Sequence, residues 1–471
     1  MSKIERTALV VYGHFSQPPR GNPLTYEIGD ELDASPYKNW NERINATSYE
    51  PNAQIGNFNH ISFSVSEGLM KWLEQNAPET YRKIIEGDQQ AVAAHPPAGS
   101  ALATAHNHVI LPLARKRDKR TQILWGIAAF ERHFGRKPLG FWLPEMAVDT
   151  ESLQFLSDAG IGYTLLTSKQ IADFQPTEGS GPYRVELPNG KSIVVFARHD
   201  DLSTELSFKV HNLGGAGHWA RNALGPARKW VGSLLLLATA GETFGHHYAG
   251  EEQFLYWLVQ HEAMIAGYEL TTLDQVYLNS KPIRTVQIVE RSSWGVEPGL
   301  TQWFMGSADA YKNTTWKGAL RRALDNAASD LDRAYEDLIL PHDVDPYILR
   351  DQYLPALFAD QTPDAFIAEH LPKMKEKQRQ QLKTLFQAQR LTQRMYNSYT
   401  FTDNKLDGRQ PRYAIACAAT ALSLAQEATG RDMNDRLPAD LAVVTSPDTS
   451  VTGTDMLQDA IRDFDLSLLK V

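Results

Sequence analysis

A single cysteine, Cys417, stands among 471 residues. One thiol can form neither a disulfide framework nor a thiolate-rich metal site, and Cys417 reads as a small apolar residue on a helix. No apolar run reaches the roughly 18 residues that a bilayer span needs. The opening stretch MSKIERTALVVYGHF has no long apolar core ahead of a small-residue cleavage site, so a cytoplasmic location is expected. A basic excess is also missing: 47 Lys and Arg face 56 Asp and Glu, for a net charge of −9. Nucleic acid and anionic membrane both select a basic face, so neither is expected as a partner. His-Glu-x-x-His, a glycine-rich phosphate loop and Gly-x-Ser-x-Gly are absent. That removes support for a metalloprotease, a P-loop enzyme or an α/β-hydrolase.

What remains is an ordinary globular composition, 42% hydrophobic and 22% charged, in a chain long enough for one to three domains. The first half alternates short apolar runs with helical spacing. Thr7–Tyr12, Leu139–Leu143, Tyr163–Leu166, Ile193–Ala197 and Leu234–Ala240 read as strands. Ser64–Asn76, Thr121–His133, Thr150–Ala159 and Glu251–Ala266 read as helices, with Thr150 as an N-cap. This alternation implies a parallel sheet, open or closed into a barrel. After about residue 310 the pattern is helical: Trp316–Leu338, Asp345–Phe358, Thr362–Tyr399, Tyr413–Thr429 and Asp455–Leu469, with a polar loop over 434–453. An α/β domain over 1–305 and a helical domain over 306–471 follow as the expected organisation.

Parallel α/β barrels present their chemistry at the C-terminal ends of strands. Three strands here end in titratable groups: Gly13-His14-Phe15-Ser16-Gln17-Pro18-Pro19, Trp142-Leu143-Pro144-Glu145, and Ala240-Gly241-Glu242-Thr243-Phe244-Gly245-His246-His247. A fourth segment, His106-Asn107-His108 before Ile110-Leu111-Pro112-Leu113, adds imidazoles from a loop. Taken alone, His14 reads as well as a structural hydrogen-bonding residue. A carboxylate beside Trp142 and Leu143 must be solvated, paired or functional. Adjacent residues on a helix diverge by about 100°, so His246 and His247 make a poor chelating pair, and no metal site is assigned.

In this order and spacing, over roughly residues 7–300, the four segments resemble glycoside hydrolase family 57, the retaining α-amylase-like family. The likeness extends to the subgroup with an uncharacterised helical C-terminal domain. The resemblance implies a (β/α)7 barrel, an incomplete relative of the eight-fold barrel, followed by helices that wall the site. It implies hydrolysis, transglycosylation or branching of α-1,4- or α-1,6-linked glucans, with no cofactor. α-Glucan or malto-oligosaccharide is then the partner. Glu145 matches the nucleophile. His14, Gln17, His108, Trp142, Glu242, His246 and His247 match substrate-binding positions.

One position departs. A retaining glycosidase needs a second carboxylic acid about 5 Å from the first. In the family that acid is an Asp directly before Gly-Glu, and here the residue is Ala240. Alanine cannot transfer a proton, and general acid catalysis is worth about 10²–10⁴-fold, so impaired turnover is expected. Ala240 is then an engineered Asp→Ala change or a natural loss, the latter leaving a non-catalytic glucan-binding or regulatory protein. A third account has Glu242 as substitute acid, displaced by two residues from the required place. A metal-dependent polysaccharide deacetylase is the reading from a different chemistry, and the Glu145 motif speaks against it. The stretches SSWGVEPGLTQWF and MYNSYTFTDN lack cysteines seen in the subgroup, so detail is not carried over to the C-terminal half. Trp294, Trp303 and Tyr399 stay open between sugar stacking and core packing.

Overall fold

The computed structural model describes residues 7–295, 299–308, 313–433, 435–464 and 466. The chain divides into two compact units. One comprises Met1–Gln17, Asp30–His106 and Gly126–Val296; the other comprises Pro18–Gly29, Asn107–Trp125 and Glu297–Val471. The second, helical unit thus takes in two segments from within the stretch that the sequence assigns to the α/β domain.

The first unit is built on ten strands: β1 (Thr7–Phe15), β2 (Ser62–Val65), β3 (Ala101–Thr104), β4 (Gly140–Trp142), β5 (Tyr163–Thr167), β6 (Tyr183–Glu186), β7 (Ser192–Arg198), β8 (Leu234–Ala240), β9 (Tyr268–Leu270) and β10 (Thr285–Val286). Seven of them pair in parallel in the order β8-β1-β2-β3-β4-β5-β7. The seam between β7 and β8 is closed by direct and bridged bonds. His199 N–H donates to Leu236 O at 2.8 Å, and Ser180 accepts from Ala197 N–H while donating to Leu234 O. The Leu236 N–H returns to Ser180 Oγ at 2.8 Å. The result is the seven-stranded parallel barrel that the resemblance implies. β6 adds to β7 antiparallel, β10 follows β6, and β9 lies beside the start of β1.

Side chains alternate inward and outward along each strand. Val10 and Tyr12 of β1, Leu102 of β3, Trp142 of β4, Tyr163 and Leu165 of β5, Phe196 of β7, and Leu234, Leu236 and Ala238 of β8 form one buried cluster. The same alternation carries His14 and Ala240 onto the inward face at the C-terminal mouth. β4 lies four places from β8 one way round the ring and three the other, so these two strands face each other across the barrel.

β2, β3, β6, β9 and β10 are not among the expected strands. Ser64 and Val65 belong to β2, and the helix there is Glu67–Asn76. The helix at 150 is Thr150–Asp158, and its N-cap is Asp149, whose carboxylate accepts from Ser152 N–H. Thr150 is its first helical residue. Further on, Glu252–Trp257 and Ala263–Ile265 are α-helical with a wider π turn, Leu258–Glu262, between them.

In the helical unit, Trp316–Ile339, Glu376–Arg394 and Arg409–Thr429 are the long helices. The last is buried nearly all round, and Cys417 lies fully buried on it, its thiol pushed up to about 12 by burial. The expected single helix over 362–399 is three helices, Pro363–His370, Glu376–Arg394 and Ser398–Thr402. Pro372 bars the helical conformation at Leu371 and ends the first. Asp345–Phe358 is likewise divided, into Pro346–Gln352 and Leu354–Leu357. The expected loop at 434–453 contains a short helix, Arg436–Ala442, seated by buried Leu437 and Leu441. The final helix is Gly453–Asp463, and the end of the expected span, 467–469, lies outside the described residues. Among the described residues, no helix is long and apolar enough to cross a membrane.

Candidate active site

β1 and β8 run in register so that His14 pairs with Ala240. Ala240 is exposed at the mouth, unlike the six buried residues before it in β8. The His14 ring stacks on Trp142, with centroids 5.0 Å apart, and Tyr12 stacks on Trp142 at 4.9 Å. Ser64 Oγ joins the two, lying 2.7 Å from His14 Nδ1 and within hydrogen-bond reach of the Tyr12 hydroxyl. Burial holds Tyr12 well above the ordinary phenol range, so this chain of hydroxyls stays neutral and orients the imidazole.

Three residues beyond Trp142 stands Glu145. Its backbone is left-handed (φ 58°, ψ 19°), as is that of Met146 (φ 47°). Two successive non-glycine residues in that region are costly and persist only when their surroundings hold them. Here Met146 N–H donates to Leu143 O at 2.7 Å, and Gln170 Nε2–H donates to Met146 O at 2.7 Å. Val148 and Ser292 pair as an isolated bridge. The turn carries the Glu145 side chain out of the strand direction. The half-exposed Trp294 then donates its indole N–H to Glu145 Oε2 at 2.8 Å.

Glu242 is different in kind. It is buried, and its Oε1 accepts from Ser16 N–H at 2.9 Å and from the Tyr49 hydroxyl at 2.6 Å. Gln17 Nε2–H donates to Tyr49 Oη at 2.7 Å. Burial pushes the Glu242 carboxyl up to about 7, against the pull of Tyr49 and the backbone donors. Glu242 therefore ties the loop after β8 to the loop after β1 and to the segment that carries Tyr49. Ser48 Oγ–H and Asn52 Nδ2–H both donate to Phe244 O and complete the clamp. Sequence reasoning missed Ser48, Tyr49 and Asn52. The polar run Asn45-Ala46-Thr47-Ser48-Tyr49 was their only signal, and such runs read as loops.

His246 lies edge-on to Trp40, its Nδ1 3.4 Å from Thr47 Oγ1, and His247 is exposed. Their backbone N–H groups both donate to Glu242 O, and their ring centroids are 5.7 Å apart. Among the described residues, no group of three or more His, Cys, Asp or Glu side chains could hold a metal ion. His108 falls in the helical unit. It is buried, its Nδ1 lies 2.7 Å from Ser398 Oγ, its ring stacks on Tyr399, and burial lowers it to about 4. Trp303 is a buried residue of that unit.

Comparison with known proteins agrees with this arrangement. A family profile described as glycosyl hydrolase family 57 matches residues 23–289, and a domain of unknown function, DUF3536, matches residues 313–471. A 1,4-alpha-glucan branching enzyme of Thermococcus kodakarensis is 30% identical over 134 aligned positions, which cover 22% of this chain. The chain spans about a fifth of that curated relative's length (19%). An exo-type maltose-forming amylase from Pyrococcus sp. ST04 shares the fold with a TM-score of 0.74 at 14% identity, over 97% of this chain and 88% of that one. A branching enzyme of this family from Pyrococcus horikoshii gives 0.59 at 15% identity, over 98% and 95%.

Proposed function

The chain belongs to glycosyl hydrolase family 57, and on that premise we propose that it is an α-glucan-active barrel of the retaining type, a hydrolase or glucanotransferase in descent. Glu145 is the nucleophile and residue 240 stands at the acid/base position. The observation that carries this reading is the opposition of β4 and β8 in the ring. Glu145 follows the end of one strand and Ala240 ends the other, so a sugar across the mouth has the carboxylate on one side and a methyl group on the other. His14, between them in the strand order and fixed by Ser64, is aimed at substrate hydroxyls.

In such a site the Glu145 carboxylate attacks the anomeric carbon, and the departing oxygen needs a proton at the same moment. Trp294 holds one oxygen of Glu145 and fixes its orientation. Ala240 has no proton to give, so glucan binds while cleavage runs about 10²–10⁴-fold below that of a chain with the acid. The buried position of Glu242, with one oxygen held by Ser16 and Tyr49, favours an architectural role for it over that of substitute acid.

The test is Ala240→Asp, assayed on malto-oligosaccharides and starch. Activity is expected to rise by at least two orders of magnitude. A folded Ala240→Asp protein without turnover of any α-glucan sinks the reading. A glycosyl fluoride, whose leaving group needs little protonation, is expected to load Glu145 covalently in the unaltered chain. Mass spectrometry should find that adduct and should lose it in Glu145→Gln.

A further inference from the structure

The helical unit contains a cavity lined by Ile110, Leu113, Arg115, Arg321, Gln393 and Tyr396, with Asp118 and Asp325 also at its walls. All eight residues belong to that unit. The space open to the centres of water-sized groups is about 20 Å³. That admits one or two such groups and excludes a sugar ring.

The donors at this cavity are unusual. Arg321 is 5% exposed, and its Nε–H has no hydrogen-bond partner among the described residues. Its guanidinium lies over the Phe401 ring at 4.0 Å, with Phe304 and Tyr396 each at 5.7 Å. The aromatic rings hold the cation in place but leave its Nε–H unfilled. Arg115 gives one donor to Asp332 at 2.6 Å, while its buried Nη2 has no hydrogen-bond partner among the described residues. The acids at the wall are already engaged. Asp118 accepts from Arg350 and Gln393, both at 2.8 Å. Asp325 accepts from the Tyr396 hydroxyl at 2.6 Å. A buried guanidinium without a hydrogen-bonded anion is costly, and a bound anion offsets that cost.

We propose that this cavity is a binding site for a halide-sized monovalent anion, held by the unfilled donors of Arg115 and Arg321. The volume selects against phosphate and sulfate, and the neighbouring Asp118 and Asp325 select against a second negative charge. The site lies in the domain of unknown function and in the segment that leads to His108, and it is independent of the glucan reading.

Chloride is the probe. The full chain is titrated with sodium chloride at constant ionic strength, with sodium gluconate as the balancing salt. Tm is expected to rise by about 2 °C or more at saturating chloride, and ³⁵Cl resonances are expected to broaden in proportion to protein. Bromide should compete with the broadening, and phosphate should not. Both signals are expected to vanish in Arg321→Met and to weaken in Arg321→Lys. An absent chloride response in the unaltered chain overturns the proposal, as does an undiminished response in folded Arg321→Met. If Arg321→Met does not fold, saturable ³⁵Cl broadening in the unaltered chain with bromide competition still decides: its presence supports the site and its absence overturns it.

Discussion

Two carboxylates at the barrel mouth illustrate how environment assigns roles to identical groups. Glu145, the proposed nucleophile, sits on a strained turn at partial exposure and accepts the Trp294 indole N–H. Glu242 is buried and raised to about 7, which suits a carboxyl that is half protonated at neutrality. The shift has a consequence for stability. An unfolded Glu titrates near pH 4.3, so between about pH 4.3 and 7 the native state binds the extra proton. The contribution of Glu242 is fully present below that window and falls away as pH rises through 7. Asp274, raised to about 6 by burial despite Arg136, acts with the same sign. Glu242→Gln is therefore expected to flatten the decline of unfolding free energy between about pH 5 and 8, by up to on the order of 3 kcal/mol. Identical slopes for variant and parent would show that the proton resides elsewhere.

At the scale of elements, the loop after β8 is shaped by two glycines. A Cβ on Gly241 would meet the Phe15 ring at 2.3 Å, and Gly245 has φ 111° with Thr47 O 2.1 Å from its would-be Cβ. The first allows the loop to pass against β1, and the second turns it back so that His246 and His247 both donate to Glu242 O. Gly245→Ala is expected to cost about 1–3 kcal/mol and to loosen the loop. Maltoheptaose affinity measured by calorimetry should fall at least fivefold, while the circular dichroism of the barrel is kept. Unchanged affinity would mean that this loop does not shape the proposed glucan site. The motif glycines were legible in the sequence, but the reason for them was not. Their neighbours, Phe15 and Thr47, lie roughly 200 residues away in the chain.

At the scale of the molecule, buried ion pairs hold Asn107–Trp125 within the helical unit. Arg350 is fully buried and reaches Asp118 at 2.8 Å, Gln389 at 2.9 Å and Thr121 at 2.8 Å. Arg115 and Arg117 both engage Asp332. Breaking one partner of such a pair leaves an uncompensated charge and costs about 3–5 kcal/mol. Asp118→Asn is expected to lower the unfolding free energy read from urea titration by an amount in that range, and a loss under 1 kcal/mol would remove these pairs from the account of why the segment belongs there. Thr121–His133 is amphipathic in the sequence, and the expected boundary of the α/β domain falls at 305. No local pattern shows that Arg115 and Arg117 find Asp332 more than 200 residues later.

The sequence by itself determined which titratable residues stand at the strand ends. Alternation is a local property, so His14 and residue 240 share a face with Tyr12 and Ala238, a face that the buried cluster then identifies as inward, and the motif order was enough to name the family. It also exposed Ala240 as the position that departs from the motif the resemblance implies. Only the tertiary structure decided which strands face each other, because ring closure rests on Ser180 and His199 bonding to β8 and not on any local pattern. It likewise decided that Glu242 is buried and that His108 belongs to the helical unit. Those outcomes depend on hydrogen bonds between residues about 190 to 290 positions apart. Such bonds form because the packed core has already met the entropic cost of bringing the segments together, and no periodicity records them.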